Sequence, residues 1–296
     1  MPAVSTSLAV LFALVTALAN AIGLIAQHRA STTAPGRGWA LVAHLARQPL
    51  WLLGWVAMVG SLVGQALALH FGSLSLVQPL LVAELVFALI LRRLFFAQHL
   101  PARAWVLAAT TTAALAAFLI DLAPHPGSVA TSPVQWTRAV LLIAVGVGLG
   151  VAVSWRRSPR RRAGGLAIAT ALLWALEAAF IRQATGVLVA SGVGGLLSSW
   201  SLYATIACGA AGLVSEQSAL HVGPLTVSQP LIVIVDPLAS MALGLGLEHD
   251  HLRGGPVTLV VAALAFVVVA AGVTGLTRAV PDHLGAVERL APEPPV

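Results

Sequence analysis

Apolar residues run along this chain in blocks of about 20, separated by short polar punctuation. A helix that crosses the hydrocarbon core of a bilayer needs a block of about that length. The blocks predict nine spans, near residues 8–27, 49–70, 73–95, 102–122, 137–155, 164–183, 197–219, 223–247 and 256–276. Ala19-Asn20-Ala21 looks like a leader cleavage site, but no basic residue precedes the first block, as a leader requires. The block is therefore expected to remain as a span. The tail from residue 277 to 296 is rich in Pro and Glu, too polar to span, and expected to be disordered.

Composition agrees. The chain has 296 residues, 58% of them hydrophobic and 9% charged, against about 25% charged in a soluble domain. Mean hydropathy is +0.93. A soluble enzyme is excluded. No HExxH, GxSxG, phosphate-binding loop or dinucleotide fingerprint occurs, so neither a catalytic residue nor a cofactor is expected. The single cysteine, Cys208, has no partner for an intrachain disulfide. All 16 basic residues are arginine. They read as a membrane-topology signal, not as a nucleic-acid surface.

Arginines gather in the loops after spans 1, 3 and 5: Arg29, Arg37 and Arg47; Arg92, Arg93 and Arg103; then Arg156, Arg157, Arg160, Arg161 and Arg162. The other loops hold few, Arg138 and Arg253 among them. Basic loops stay in the cytoplasm, which predicts an outside N-terminus and a cytoplasmic C-terminus. The 156–162 cluster also suits a lipid headgroup.

One phrase occurs twice. Residues 68–82 read ALHFGSLSLVQPLLV and residues 219–233 read ALHVGPLTVSQPLIV, identical at nine of 15 positions with an offset of 151. The copies open spans 3 and 8, so they cross the membrane in opposite senses. Gln27 matches Gln183 at an offset of 156, and His99-Leu100 matches His251-Leu252 at 152. Spans 1–4 (residues 1–122) thus pair with spans 6–9 (164–276), and a linker at 123–163 carries span 5. The expected architecture is an all-α polytopic membrane protein in a 4+1+4 inverted repeat. Duplicated, proline-broken spans mark the binding site of secondary transporters. Pro79, Pro230 and Pro237 are therefore expected hinges, since an interior proline costs a helix about 3 kcal/mol or more.

The candidate site follows from costly polar residues. If the residue inserted in the second copy lies just after Val233, Glu84 corresponds to Asp236, both beyond the repeated proline. Acids in a hydrocarbon region cost several kcal/mol and tend to mark a pathway. The plain alternative is a protonated, hydrogen-bonded buried carboxyl. Glu177 lies deep in span 6, five residues before Arg182, a spacing unsuited to a pair on one helix face. Its partner or cation is expected on another helix, while Arg182 is expected to snorkel to the outer surface. Glu216 and its counterpart Gln65 lie near span ends and read as gate or structural residues. Gln78 and Gln229 precede the prolines and either satisfy the carbonyl that proline frees or face the cavity. Glu248-His249-Asp250-His251 resembles a metal cluster in composition but matches no zinc spacing, so the metal assignment stays open.

Leu172-Leu173-Trp174-Ala175-Leu176 with Arg182 resembles the opening helix of the second half of the drug/metabolite transporter superfamily. The Gly-x-Leu-x-x-x-Gln-Pro-Leu phrases at Gly72 and Gly223 resemble the hinge of its repeat, and the nine-span layout is similar to its NIPA-like branch, whose members are described as magnesium transporters. The resemblance covers residues 8–276. It implies a secondary transporter with a central cavity, embedded in the cytoplasmic membrane, with a small-molecule or cation substrate and room for a homodimer. Three functions remain open from the sequence: transport of a small polar or cationic solute, transport of a divalent cation held by Glu84, Asp236, Glu177, Gln78 and Gln229, and a non-transporting membrane scaffold.

Overall fold

The computed structural model describes residues 2–33, 47–96, 101–122, 124, 125, 127, 132–155, 158–222, 225–247, 249–252 and 254–279. These residues are almost wholly helical: α1 Pro2–Thr33, α2 Pro49–Phe71, α3 Leu74–Leu81, α4 Glu84–Phe96, α5 Ala102–Leu122, α6 Pro133–Ser154, α7 Pro159–Ser198, α8 Trp200–Val222, α9 Leu225–Leu247 and α10 Pro256–Ala279. Seven stretches are long and apolar enough to cross a membrane, the α3–α4 pair counting as one, and α10 holds a shorter apolar helix at Val260–Gly275. The expected tail beyond residue 279 lies outside the described residues.

Local chemistry sets the ends. Pro49 and Pro159 sit in the first turns of their helices, where the missing N–H would have no partner anyway. Ser132 and Gln135 form a reciprocal capping box at α6: the Gln135 N–H donates to Ser132 Oγ, and the Ser132 N–H donates to Gln135 Oε1 at 3.0 Å.

The prolines act unequally. After Pro79 the hydrogen-bond ladder shortens: Val82 N–H donates to Pro79 O and Ala83 N–H to Leu80 O, at 3.2 and 3.0 Å. Residues 82–83 are a turn, and α4 restarts at Glu84. The helix is interrupted three residues beyond the proline. By contrast, α9 runs as one continuous helix through Pro230 and Pro237, so the break expected there is absent. Each proline removes only one ladder bond, and α9 is held along its length by α7, α3 and α10; neighbouring helices can hold such a span in line.

Span 6 is also longer than expected. Instead of ending near residue 183, α7 continues to Ser198, with a kink at Gly192, whose φ is +67°. The residues after 183 are small and apolar, with no proline to stop the helix before that glycine.

The core is built from small side chains. Ala9, Ala13, Ala17 and Ala21 line one buried stripe of α1, while Leu11, Val15 and Leu24 on the opposite side are about half exposed. Outward leucines cost nothing in lipid, and close packing of small residues is what holds membrane helices together. A close crossing joins α6 to α7: a Cβ on Gly165 would run into the Gly150 carbonyl and the Ser154 hydroxyl. The dominant pairings are α1 with α2, α7 with α8, α5 with α10, α7 with α9, and α6 with α7.

One polar knot ties the bundle at one end. Asp250 is 5% exposed. Its carboxylate accepts from the Ser75 N–H at 3.2 Å, the Ser75 hydroxyl at 2.9 Å, the Gly127 N–H at 3.2 Å and the Arg182 guanidinium at 3.3 Å. Arg182, also 5% exposed, is thus an interior ion-pair partner and not the snorkelling residue expected. The pair draws it inward because a buried carboxylate needs a counter-charge. Beside the knot His125 and His251 exchange backbone hydrogen bonds at 2.8 and 3.0 Å.

Two outcomes follow. Gly165→Val should force α6 and α7 apart and destabilise the fold by at least about 1–3 kcal/mol, read as a lower melting temperature in detergent, whereas Gly148→Val, at an open position, should not. Asp250→Ala removes the acceptor of the Ser75, Gly127 and Arg182 donors and should cost at least about 1–3 kcal/mol, measured as lost folded yield and melting temperature.

Candidate substrate site

The four acids singled out from the sequence lie on four helices, and all are half-buried. The hinge after Pro79 sets the first. Because the helix restarts at Glu84, that carboxyl occupies the first turn of α4. It is hydrogen-bonded to Asn20 of α1 and lies within electrostatic range of Glu216 of α8.

The second pair lies between α9 and α7. Asp236 accepts a hydrogen bond from Ser240 Oγ, one turn on, at 3.1 Å, and lies within electrostatic range of Glu177. Glu177 packs against Gly209 of α8 so closely that a Cβ there would overlap its Oε1. Its neighbour Cys208 donates through Sγ to the Leu173 carbonyl at 3.4 Å. So the acids do not gather in one cluster. They form two couples, Glu84 with Glu216 and Asp236 with Glu177.

Each couple places two carboxylates within electrostatic range of one another among apolar helices. Such a couple repels, and a proton or a bound cation relieves the repulsion. That is the chemistry the site offers: two places, on different helix pairs, at which a positive charge is favoured. Among the described residues no group of three or more His, Cys, Asp or Glu side chains forms a metal-ligand set.

The remaining candidates divide. Gln78 is 2% exposed, and its Nε2 has no hydrogen-bond partner; its amide nitrogen does not cap a freed carbonyl. Ser228, two residues before Pro230, is buried with an unpartnered hydroxyl. Gln65 is half-buried on α2. The side chain of Gln229 lies outside the described residues, as does Glu248.

Sequence reasoning passed over three residues here. Asn20 carries no charge and looked like part of a leader cleavage site, yet it is the partner of Glu84. Its one signal is position: it falls one residue from the place where an offset of 156 puts the counterpart of Glu177. Asp121, in the last turn of α5, holds a buried Oδ2 without a partner. Asp250 stands out in sequence only as part of the metal-like Glu248-His249-Asp250-His251 run, and its place at the centre of the knot has no signal there.

Comparison with known proteins adds kinship without chemistry. No family model matches the chain, and no solved structure matches it. A protein of Corynebacterium glutamicum named "Uncharacterized protein Cgl0250/cg0304" is 30% identical over 247 residues, which cover 81% of this chain and 84% of that protein. The chain therefore belongs to the family of that corynebacterial protein.

Proposed function

We propose that the protein is a secondary transporter of a small polar or cationic solute, working by alternating access in the cytoplasmic membrane as a nine-span, drug/metabolite-transporter-like inverted repeat. The observation that carries this reading is the pair of carboxylate couples, Glu84 with Glu216 and Asp236 with Glu177, held half-buried inside a bundle of apolar helices. Intramembrane acids are expensive and face wet cavities or one another; a scaffold has no use for four.

The packing supports the repeat. The pairing of α1 with α2 mirrors that of α7 with α8, and the pairing of α1 with α3 and α4 mirrors that of α7 with α9. The counterparts α3 and α9 pack on one another, as do α5 and α10. Ser75, in the first turn of α3, lies against Gly244 near the end of α9, as expected for copies of the repeated phrase that run in opposite senses. In this reading α6 is the unpaired span, the N-terminus lies outside, and Asp250 is at the outer mouth.

In the cycle, protonation of a couple and binding of a cationic solute are alternatives, since either relieves the same repulsion. A hard divalent ion is the second reading. It wants about six to eight oxygen ligands, and each couple brings four carboxylate oxygens with Asn20 or Ser240 beside them.

In proteoliposomes, Glu84→Gln and Asp236→Asn should insert normally, yet each should lose at least about tenfold in proton-linked flux of an organic cation. Wild-type rates in both variants between about pH 6 and pH 8 would make the acids structural. Loss of magnesium flux alone would move the divalent reading to first place. Asn20→Leu removes one hydrogen bond to a carboxylate, worth about 1.5–3 kcal/mol. It should lower the melting temperature and weaken substrate half-saturation by roughly tenfold to a hundredfold, and titration of initial rates checks the second effect.

A further inference from the structure

We propose that the groove between the end of α6 and the start of α7 binds the headgroup of an anionic phospholipid. The inference stands apart from the transporter reading, because it concerns the surrounding membrane and not a transported solute.

The groove has a volume of about 410 Å³ and is lined by Val151, Ser154, Trp155, Arg162 and Leu166. Each wall is a single helical turn. Val151, Ser154 and Trp155 follow one another at helical spacing where α6 ends, and Arg162 and Leu166 are one turn apart on α7. The walls are tied to one another by the protein itself. Ser154 Oγ lies 2.8 Å from the Gly150 carbonyl and 3.1 Å from the Arg162 carbonyl. The crossing at Gly150 and Gly165 holds the two backbones close at the level of Val151 and Leu166.

Chemistry changes along the groove. Chain order puts Trp155 and Arg162 nearer the segment that connects the helices, and Val151 and Leu166 one turn further into the apolar part of each helix. Trp155 is 71% exposed, and Arg162 is exposed. A cation and an indole stand at one end, aliphatic walls at the other. This gradient fits an amphiphile with an anionic head and an apolar tail. A free phosphate has no use for the apolar end, and a zwitterionic lipid brings no net charge to the other. Trp and Arg are also the side chains that a membrane–water boundary favours.

The charge beside the groove lacks a balance within the chain. Arg160 and Arg161 are exposed next to Arg162, and Arg156 and Arg157 precede them in sequence. From residue 122 to residue 176 the sequence holds six arginines and no Asp or Glu. Among the described residues none forms an ion pair with Arg160, Arg161 or Arg162. Basic residues near an anionic membrane surface each add to the attraction. Arginines alone suffice to orient a chain in the membrane; a shaped groove beside them is what orientation does not require and a lipid does.

The test counts the lipid that the full chain retains. The protein is released from micelles carrying equal amounts of phosphatidylglycerol and phosphatidylcholine with the same acyl chains, and bound lipid is read by native mass spectrometry. Phosphatidylglycerol should be retained with a preference of about tenfold or more. Arg162→Gln should lower its retention by about fivefold. Val151→Trp fills the groove, keeps every charge, and should lower retention at least as much. Both positions are exposed, so neither change disturbs the packed core. Arg103→Gln removes the same charge at an exposed position outside the groove and should leave retention unchanged. Millimolar inorganic phosphate should not displace the lipid. The proposal is overturned if the two lipids are retained equally, if Arg103→Gln costs as much as Arg162→Gln, if Val151→Trp changes nothing, or if phosphate displaces the lipid.

Discussion

A carboxylate removed from water must be surrounded by donors, and at Asp250 that requirement organises one end of the molecule. Backbone N–H groups, a hydroxyl and a guanidinium converge on two oxygens from segments far apart in the chain, Ser75 lying 175 residues away. None of these contacts is strong when traded against water. Buried, they are obligatory, because the group left unsatisfied costs more than the bond gained. That requirement registers α3 against α9 and turns Arg182 inward.

Much of the architecture was legible because membrane helices announce themselves locally. Apolar length marks each span, and Pro49, Gly72, Ser132 and Pro159 mark several ends. What was illegible depends on partners distant in sequence. Arg182 has Glu177 five residues before it and Asp250 68 residues after it; only folding decides between them. Asn20 is silent until α4 restarts at Glu84 beside it. The prolines teach the same lesson: Pro79 and Pro230 occupy matching places in the repeated phrase, yet one is followed by a turn and the other by unbroken helix. A proline's direct effect is one missing bond, and whether that opens a hinge depends on what braces the helix.

The candidate site shows the other limit of sequence reasoning. Glu84, Glu177, Glu216 and Asp236 were found because an acid in an apolar block is conspicuous. That they divide into couples could not be read, since coupling depends on which faces of α4, α8, α7 and α9 meet. The division matters chemically. A cluster of four would act as one multidentate ligand, whereas two couples on different helix pairs can be occupied in turn.

The length of α7 has a mechanical meaning. From Pro159 to the kink at Gly192 a helix extends about 50 Å, against roughly 30 Å for the hydrocarbon layer. Its side chains become exposed soon after Arg182. The helix is thus held in the bundle from Ala163 to Ala184 and runs on past it, so its last turns before Gly192 present their side chains outside the packed core.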